Sequence, residues 1–169
     1  MEVFEAIFNR RSIRKYTDKK ISKESIDKLL AAAMVAPSAM NTQAWQFLVL
    51  NKREIIDSLV EAIPHAGMVK EADAAIMVCA DESIEKDTAY NLQNTAASIQ
   101  NILLAAHAIG LGACWIAVHP LEDVVRNVKK LFNLPVGILP VAVISLGFPG
   151  EELKGEDRFN KGKVHYNRW

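Results

Sequence analysis

Ala74-Ala75-Ile76-Met77-Val78-Cys79-Ala80 is the stretch on which the fold turns. It carries no charge and shows no alternation of apolar with polar residues. A strand with one face in water alternates, whereas a strand covered on both faces reads as a continuous apolar run. The segment therefore predicts a strand buried between two layers.

The flanking sequence supplies those layers. Downstream, a helix is expected over about 87–109, closed by Gly110. A strand follows from Ala113 to Val118, then a helix from Leu121 to Phe132 and a strand from Ile138 to Gly147. Pro140 suggests an edge position or a strand start for the last of these. Upstream, Gln46 to Leu50 reads as a buried strand after Trp45, and 52–62 as a surface helix ended near Pro64. Val3, Phe4, Ile7 and Phe8 recur at helical spacing within 2–9. Residues 15–21 look extended, and Ser22 is placed to cap a helix whose core face is Ile26, Leu29, Leu30 and Ala33. Between that helix and Trp45 lies a polar loop, Ala36 to Gln43. Strands alternating with helices predict a three-layer α/β or α+β sandwich. With no linker or internal repeat, 1–169 reads as a single domain.

Composition narrows the function classes. Lys+Arg and Asp+Glu balance at 20 each, so the whole molecule offers no polyanion track, and neither nucleic acid nor membrane is an expected partner. Thr88 to Leu121 lacks any charged residue, but its amides and Gly110 and Gly112 make a helix buried in protein a better reading than a bilayer span. Cys79 and Cys114 lie in apolar runs and read as reduced core residues. Glu2 and Glu5 stand where a signal peptide would be basic, so the expected location is cytoplasmic. The tail ends in His165-Tyr166-Asn167-Arg168-Trp169, aromatic enough to be expected against its own core or a partner subunit.

The chemistry-bearing stretch is Arg10-Arg11-Ser12-Ile13-Arg14. Its guanidinium groups form planar forks that match phosphate oxygens, and the Ser12 hydroxyl can add a further donor. Basic residues ending a helix also merely offset its dipole. Arg10 to Lys20 holds six Arg/Lys against Asp18, so the positive charge is local and fits an anion site. There is no HExxH, no Cys/His metal spacing, no GxSxG and no GxGxxG after a strand. His65, His107, His119 and His165 are scattered. An enzyme so equipped draws its chemistry from a cofactor.

Three segments together resemble one family. Arg10-Arg11-Ser12-Ile13-Arg14, Ala36-Pro37-Ser38 through Asn41-Thr42-Gln43-Ala44-Trp45, and Gly110-Leu111-Gly112-Ala113-Cys114-Trp115-Ile116 are similar, in order and spacing, to the FMN-dependent nitroreductases. Leu146-Gly147-Phe148-Pro149 and the aromatic ending add weaker matches. The resemblance implies an α+β fold, a three-layer α/β/α sandwich on a mixed, mainly antiparallel sheet, assembled as an intertwined homodimer. It implies FMN at the subunit interface, NAD(P)H as donor, and ping-pong hydride transfer through flavin N5 to nitroaromatic, quinone or related small acceptors. By position, Arg10, Arg11, Ser12 and Arg14 would hold the FMN phosphate, ribityl chain and pyrimidine edge. Pro37, Ser38, Ala39 and Asn41 would come from the other subunit, with Gln43 nearby. Trp115, Ile116 and Ala117 would lie beside the isoalloxazine, and Arg158 would be a second phosphate ligand.

The residues agree with such a ligand. A phosphate on a flat ring with an amide-like edge calls for guanidinium groups, amide side chains and an apolar wall. Ala44 stands where the family usually has proline, and Ala117-Val118-His119 departs from its usual continuation. The short link from Asp81 to Asp87 implies an open substrate site, without the helix that longer relatives carry over the flavin. Two alternatives stand beside the oxidoreductase: an FMN-binding storage or redox-sensing protein that turns over no substrate, and a nucleic-acid-binding basic loop. Ala96, Ile99, Leu103 and Ala106 are expected to form a surplus apolar face that packs on a second subunit.

Overall fold

The computed structural model describes every residue from Met1 to Trp169. Four strands, β1 (Trp45–Leu50), β2 (Ala74–Asp81), β3 (Gly112–Ala117) and β4 (Ile138–Gly147), form one sheet in the order β1-β2-β4-β3. Every neighbouring pair is antiparallel. The parallel component expected of a mixed sheet is a single isolated bridge between Ser12 and Ala113. The helices are α1 (Val3–Asn9), α2 (Lys23–Met34), α3 (Arg53–Ala62), α4 (Thr88–Ala108) and α5 (Glu122–Leu131).

β2 lies inside the sheet and is covered on both sides, as its apolar run requires. Ala74, Ile76 and Val78 pack with Leu29 of α2 and Ile99 and Ile102 of α4. Ala75, Met77 and Cys79 pack with Ile56 and Leu59 of α3 and Val128 of α5. The molecule is thus an α/β/α sandwich, and each fully buried aliphatic side chain in it contributes about 1.5–3 kcal/mol. The helix ends follow their sequence signals. Ser22 accepts a hydrogen bond from the Ser25 amide, and Gly110 (φ 80°) ends α4 while the Leu111 amide reaches back to the Ala106 carbonyl.

One expectation is corrected, that for α4, and two that offered alternatives are narrowed. Pro140 is not at a sheet edge, because β4 lies between β2 and β3. It sits near the start of β4, where the register shifts between Val78 and Cys79, and a bulge tolerates the missing amide donor. The surplus face assigned to α4 is not free: Ile99, Leu103 and Ala106 are buried in the chain's own core, against α2 and the sheet. The exposed apolar surface belongs to α1 instead, where Phe4 is 69% and Phe8 64% exposed. The aromatic tail does not pack on its own core, since Tyr166 and Trp169 are exposed and Trp169 stacks only on His165.

Candidate functional site

α1 delivers the arginine stretch to the edge of the sheet. Beyond Asn9 the chain runs extended along β3, with the Ile13 amide bonded to the Ala113 carbonyl at 3.0 Å. It then crosses the end of β4, where Thr17 bonds Phe148 at 2.9 Å and Gly150 bonds Lys15 at 2.8 Å. Two glycines permit this approach. A Cβ on Gly112 would fall 2.7 Å from Ile13, and one on Gly147 would fall 2.5 Å from the Tyr16 ring. The buried Tyr16 hydroxyl donates to the Ile13 carbonyl at 2.6 Å and shares a 2.8 Å hydrogen bond with Ser145 Oγ. Burial pushes its phenol far above the ordinary range, so it stays protonated. The arginine segment is therefore held rigidly by its neighbours.

The guanidinium groups divide into distinct roles. Arg10 is half-buried and makes no ion pair or side-chain hydrogen bond within the chain. Burial, then the nearby positive charges of Arg11 and Arg158, lower its pKa. Arg11 is committed to carbonyls: Nε donates to Lys154 at 3.0 Å, and Nη1 to Phe8 at 3.0 Å and Arg10 at 2.7 Å. Its Nη2 is buried without a partner. Arg11 thus ties the tail to the end of α1. Arg158, on that tail, is exposed and forks onto Glu156 Oε2 at 2.9 and 3.1 Å. A cleft of about 740 Å³ lies between Ile7–Arg11 and Gly155–Phe159. Glu156 and Asp157 also line it, but Glu156 pairs with Arg158 and neither carboxylate pairs with Arg10, so Arg10 is the guanidinium left to meet an added anion.

Ser12 and Arg14 turn toward Cys114 on β3, and the Arg14 and Lys15 amides both donate to Glu151 Oε1 at 2.7 and 3.2 Å. Those amides hold the Glu151 carboxyl below its usual range. Burial is the largest influence on the Cys114 thiol and raises its pKa. Next along β3, Trp115 is 39% exposed and Ala117 is exposed, while Ile116 points into the α3/α5 core. Trp115 and Ala117 are therefore available as a wall, whereas Ile116 offers only its backbone.

The polar loop forms a second group. Pro37, Asn41 and Gln43 are exposed; Ser38 and Ala39 are half-buried. Met40, Asn41 and Gln43 adopt left-handed backbone (φ 51°, 56° and 51°), a conformation with a cost for non-glycine residues. Ser38 Oγ accepts from the Gln43 amide at 3.1 Å, and Gln43 Nε2 donates to Asn41 Oδ1 at 3.1 Å. The buried Asn94 of α4 accepts from the Ala39 amide at 2.8 Å. At the other end of α4, His107 lines a cavity with Arg10 and Arg11. A helical rise of about 1.5 Å per residue separates Asn94 from His107 by about 20 Å. One chain therefore brings Arg10, Arg11, Ser12, Arg14, Arg158 and Trp115 toward one region, but not the 37–43 loop.

Tyr16, Asn94 and His107 belong to this architecture, and the sequence reading gave none of them a role. The two amides Asn91 and Asn94, within an uncharged helix, were the available signal for Asn94.

The chain matches the model of the Nitroreductase family over residues 7–82 and 64–148. It is 46% identical over 169 residues to a protein of Methanothermobacter thermautotrophicus provisionally named NADH dehydrogenase/NAD(P)H nitroreductase, covering 100% of this chain and 88% of that one. The FMN-dependent nitroreductase of Clostridium difficile R20291 has the same fold, with a TM-score of 0.91, 30% identity and coverage of 98% and 99% of the two chains. A provisionally assigned nitroreductase from Desulfovibrio desulfuricans, solved in complex with FMN, superposes with a TM-score of 0.85 at 30% identity, covering 100% of this chain and 98% of that one.

Proposed function

This chain belongs to the nitroreductase family, and from that premise we propose that it is an FMN-dependent NAD(P)H:acceptor oxidoreductase. One observation carries the reading: Arg10 is half-buried, crowded by Arg11 and Arg158, and without a counter-anion in its own chain. The donor set suits a phosphate monoester, with Arg10 lining the cleft and Arg158 released from Glu156 to join it, while Arg11, whose Nε and Nη1 serve carbonyls, adds its positive charge. Ser12 and Arg14 lie further along the same segment, toward the sugar-like chain and ring edge. Trp115 supplies apolar surface at the strand edge.

When bound, the flavin supplies the hydride chemistry that these side chains lack. The chain's own contributions are to hold the phosphate, keep cationic charge beside the ring, and leave one face open to small nitroaromatic or quinone acceptors. No helix follows β2 before α4, which keeps that face uncovered.

The reading includes a homodimer. The 37–43 loop is about 20 Å along α4 from the arginine group, so Asn41 and Gln43 reach a shared ligand only from a second copy. The exposed α1 face and the exposed Tyr166 and Trp169 supply apolar surface for that partner.

The test is the visible spectrum of the purified protein, before and after anaerobic NADH or NADPH. A yellow protein that releases FMN on denaturation and bleaches with reduced nicotinamide is expected. Protein that neither carries nor accepts FMN overturns the reading, and a flavin that neither nucleotide bleaches would assign the protein to storage or sensing instead. No helix is long and apolar enough to cross a membrane.

A further inference from the structure

We propose that Asn94, on the buried face of α4, is a positioning residue that holds the 38–43 loop in its ligand-binding conformation. The inference rests on the FMN reading above and extends it to a residue that would touch no ligand.

Asn94 is 4% exposed, and a buried amide costs stability unless its polar atoms find partners. Both of them are spent on this loop. Oδ1 accepts from the Ala39 amide at 2.8 Å, and Nδ2 donates to Thr42 Oγ1 at 3.4 Å. These two bonds bracket Met40 and Asn41, both in left-handed backbone, with Gln43 just beyond (φ 51°). Three non-glycine residues do not hold that conformation without support, because each left-handed position carries a conformational cost. The loop's internal bonds, Ser38 Oγ to the Gln43 amide and Gln43 Nε2 to Asn41 Oδ1, shape its tip but do not fix it to the body. Asn94 makes that attachment. It stands in a polar stripe where Asn91 donates to the Glu85 carbonyl, tying the start of α4 to the preceding loop, and Thr95 bonds the Asn91 carbonyl within the helix. An apolar residue would fill the space between α4 and the loop but would leave the Ala39 amide unpaired.

The loop is the ring-end half of the site and the arginines are the phosphate-end half, which provides the test. Apoprotein is titrated with FMN and with riboflavin, which has the ring without the phosphate, and binding is read by quenching of flavin fluorescence. Asn94→Ala should weaken both flavins by the same factor, about tenfold or more, as loss of two ordering hydrogen bonds allows. Arg10→Ala should weaken FMN while sparing riboflavin. Thr42→Val removes only the Nδ2 partner at a half-buried position and should weaken riboflavin by about threefold. It therefore decides the matter if Asn94→Ala does not fold. Parent protein that binds no FMN would refute the FMN reading itself. Parent that binds FMN, with Asn94→Ala or a folded Thr42→Val binding riboflavin as tightly as the parent, would refute the role of Asn94 alone.

Discussion

The segment from Arg10 to Thr17 and the loop from Ala36 to Gln43 both carry proposed site residues, yet they are held by opposite means. The first is an extended strand-like run, bonded through its backbone to Ala113 and Phe148 and clamped by Tyr16 against Ser145. Its positions are fixed by many neighbours, and its strain is low. The second has left-handed backbone at Met40, Asn41 and Gln43 and is tied to the body through one buried amide, Asn94. Charge is therefore preorganised where the anion would dock, and conformational strain is stored where the ring edge would be read. α4 joins the two, with Asn94 near one end and His107 near the other.

Breaking the strut abolishes the comparison and has the largest expected effect. Leu103 is 5% exposed in the α2/α4 core, so Leu103→Asp buries an unpaired charge there. A loss of about 3–5 kcal/mol is expected, comparable with removing one partner of a buried ion pair. Circular dichroism in urea should show a chain without a cooperative transition; a folded monomer would mean that Leu103 faces a partner instead. Arg10→Ala acts on one half only. Loss of a charge-assisted fork to a phosphate costs about 2–4 kcal/mol, or roughly 30- to 1000-fold in FMN affinity. The protein should purify nearly colourless while its apo form melts normally, as read by absorbance and calorimetry.

Gly147→Ala tests whether the first region is as rigid as its contacts imply. The new methyl would meet Cδ1 of Tyr16 at 2.5 Å and its Cβ at 2.9 Å, so the whole residue must shift. About 1–3 kcal/mol of stability should be lost, with weaker FMN binding as Ile13 and Arg14 move. An unchanged melting temperature and FMN affinity would show that the clamp is soft.

What the sequence disclosed follows from where local chemistry dominates. The Ala74 to Ala80 run, the Ser22 cap and Gly110 each have one good structural solution, so β2, α2 and the end of α4 were legible. The local positive charge was legible because Arg10, Arg11 and Arg14 fall within five residues. α4 was misread for a physical reason. With no charge to mark its wet side, the periodicity of Ile99, Leu103 and Ala106 revealed a buried face but not what buried it. Two of its amides, Asn91 and Asn94, are buried, whereas Gln93 and Gln100 are exposed. α1 shows the converse, an amphipathic pattern whose apolar side a single chain leaves exposed. The structural partner of Arg11, the Lys154 carbonyl, lies too far along the chain for local reading.

The smallest expected effect concerns His107, which couples the arginine group to pH. Its ring is half-buried at the last turn of α4, and its Nε2 is enclosed without a partner. The cavity it lines, about 260 Å³, also contains Arg10, Arg11, Glu151, Glu152 and Met1. Burial lowers its pKa from the ordinary 6.5, Arg10 and Arg11 lower it further, and Glu5 opposes them. The folded protein thus favours the neutral ring, so stability is full above pH 6.5 and declines as pH falls from there toward the lower folded value. Once below that value the His107 contribution is lost and the decline from this residue ends. A phosphate dianion on Arg10 would offset part of the arginine field and raise the folded pKa. The holoprotein should then lose less stability over the same interval, and FMN binding there should take up protons. Melting temperatures of apo- and holoprotein between pH 5 and 7.5, set against His107→Gln, measure this directly. The variant should show a flatter profile and a smaller apo–holo difference in slope. If parent and variant give superimposable profiles, the ring is not felt by the arginines, and the phosphate end of the site is electrostatically independent of α4.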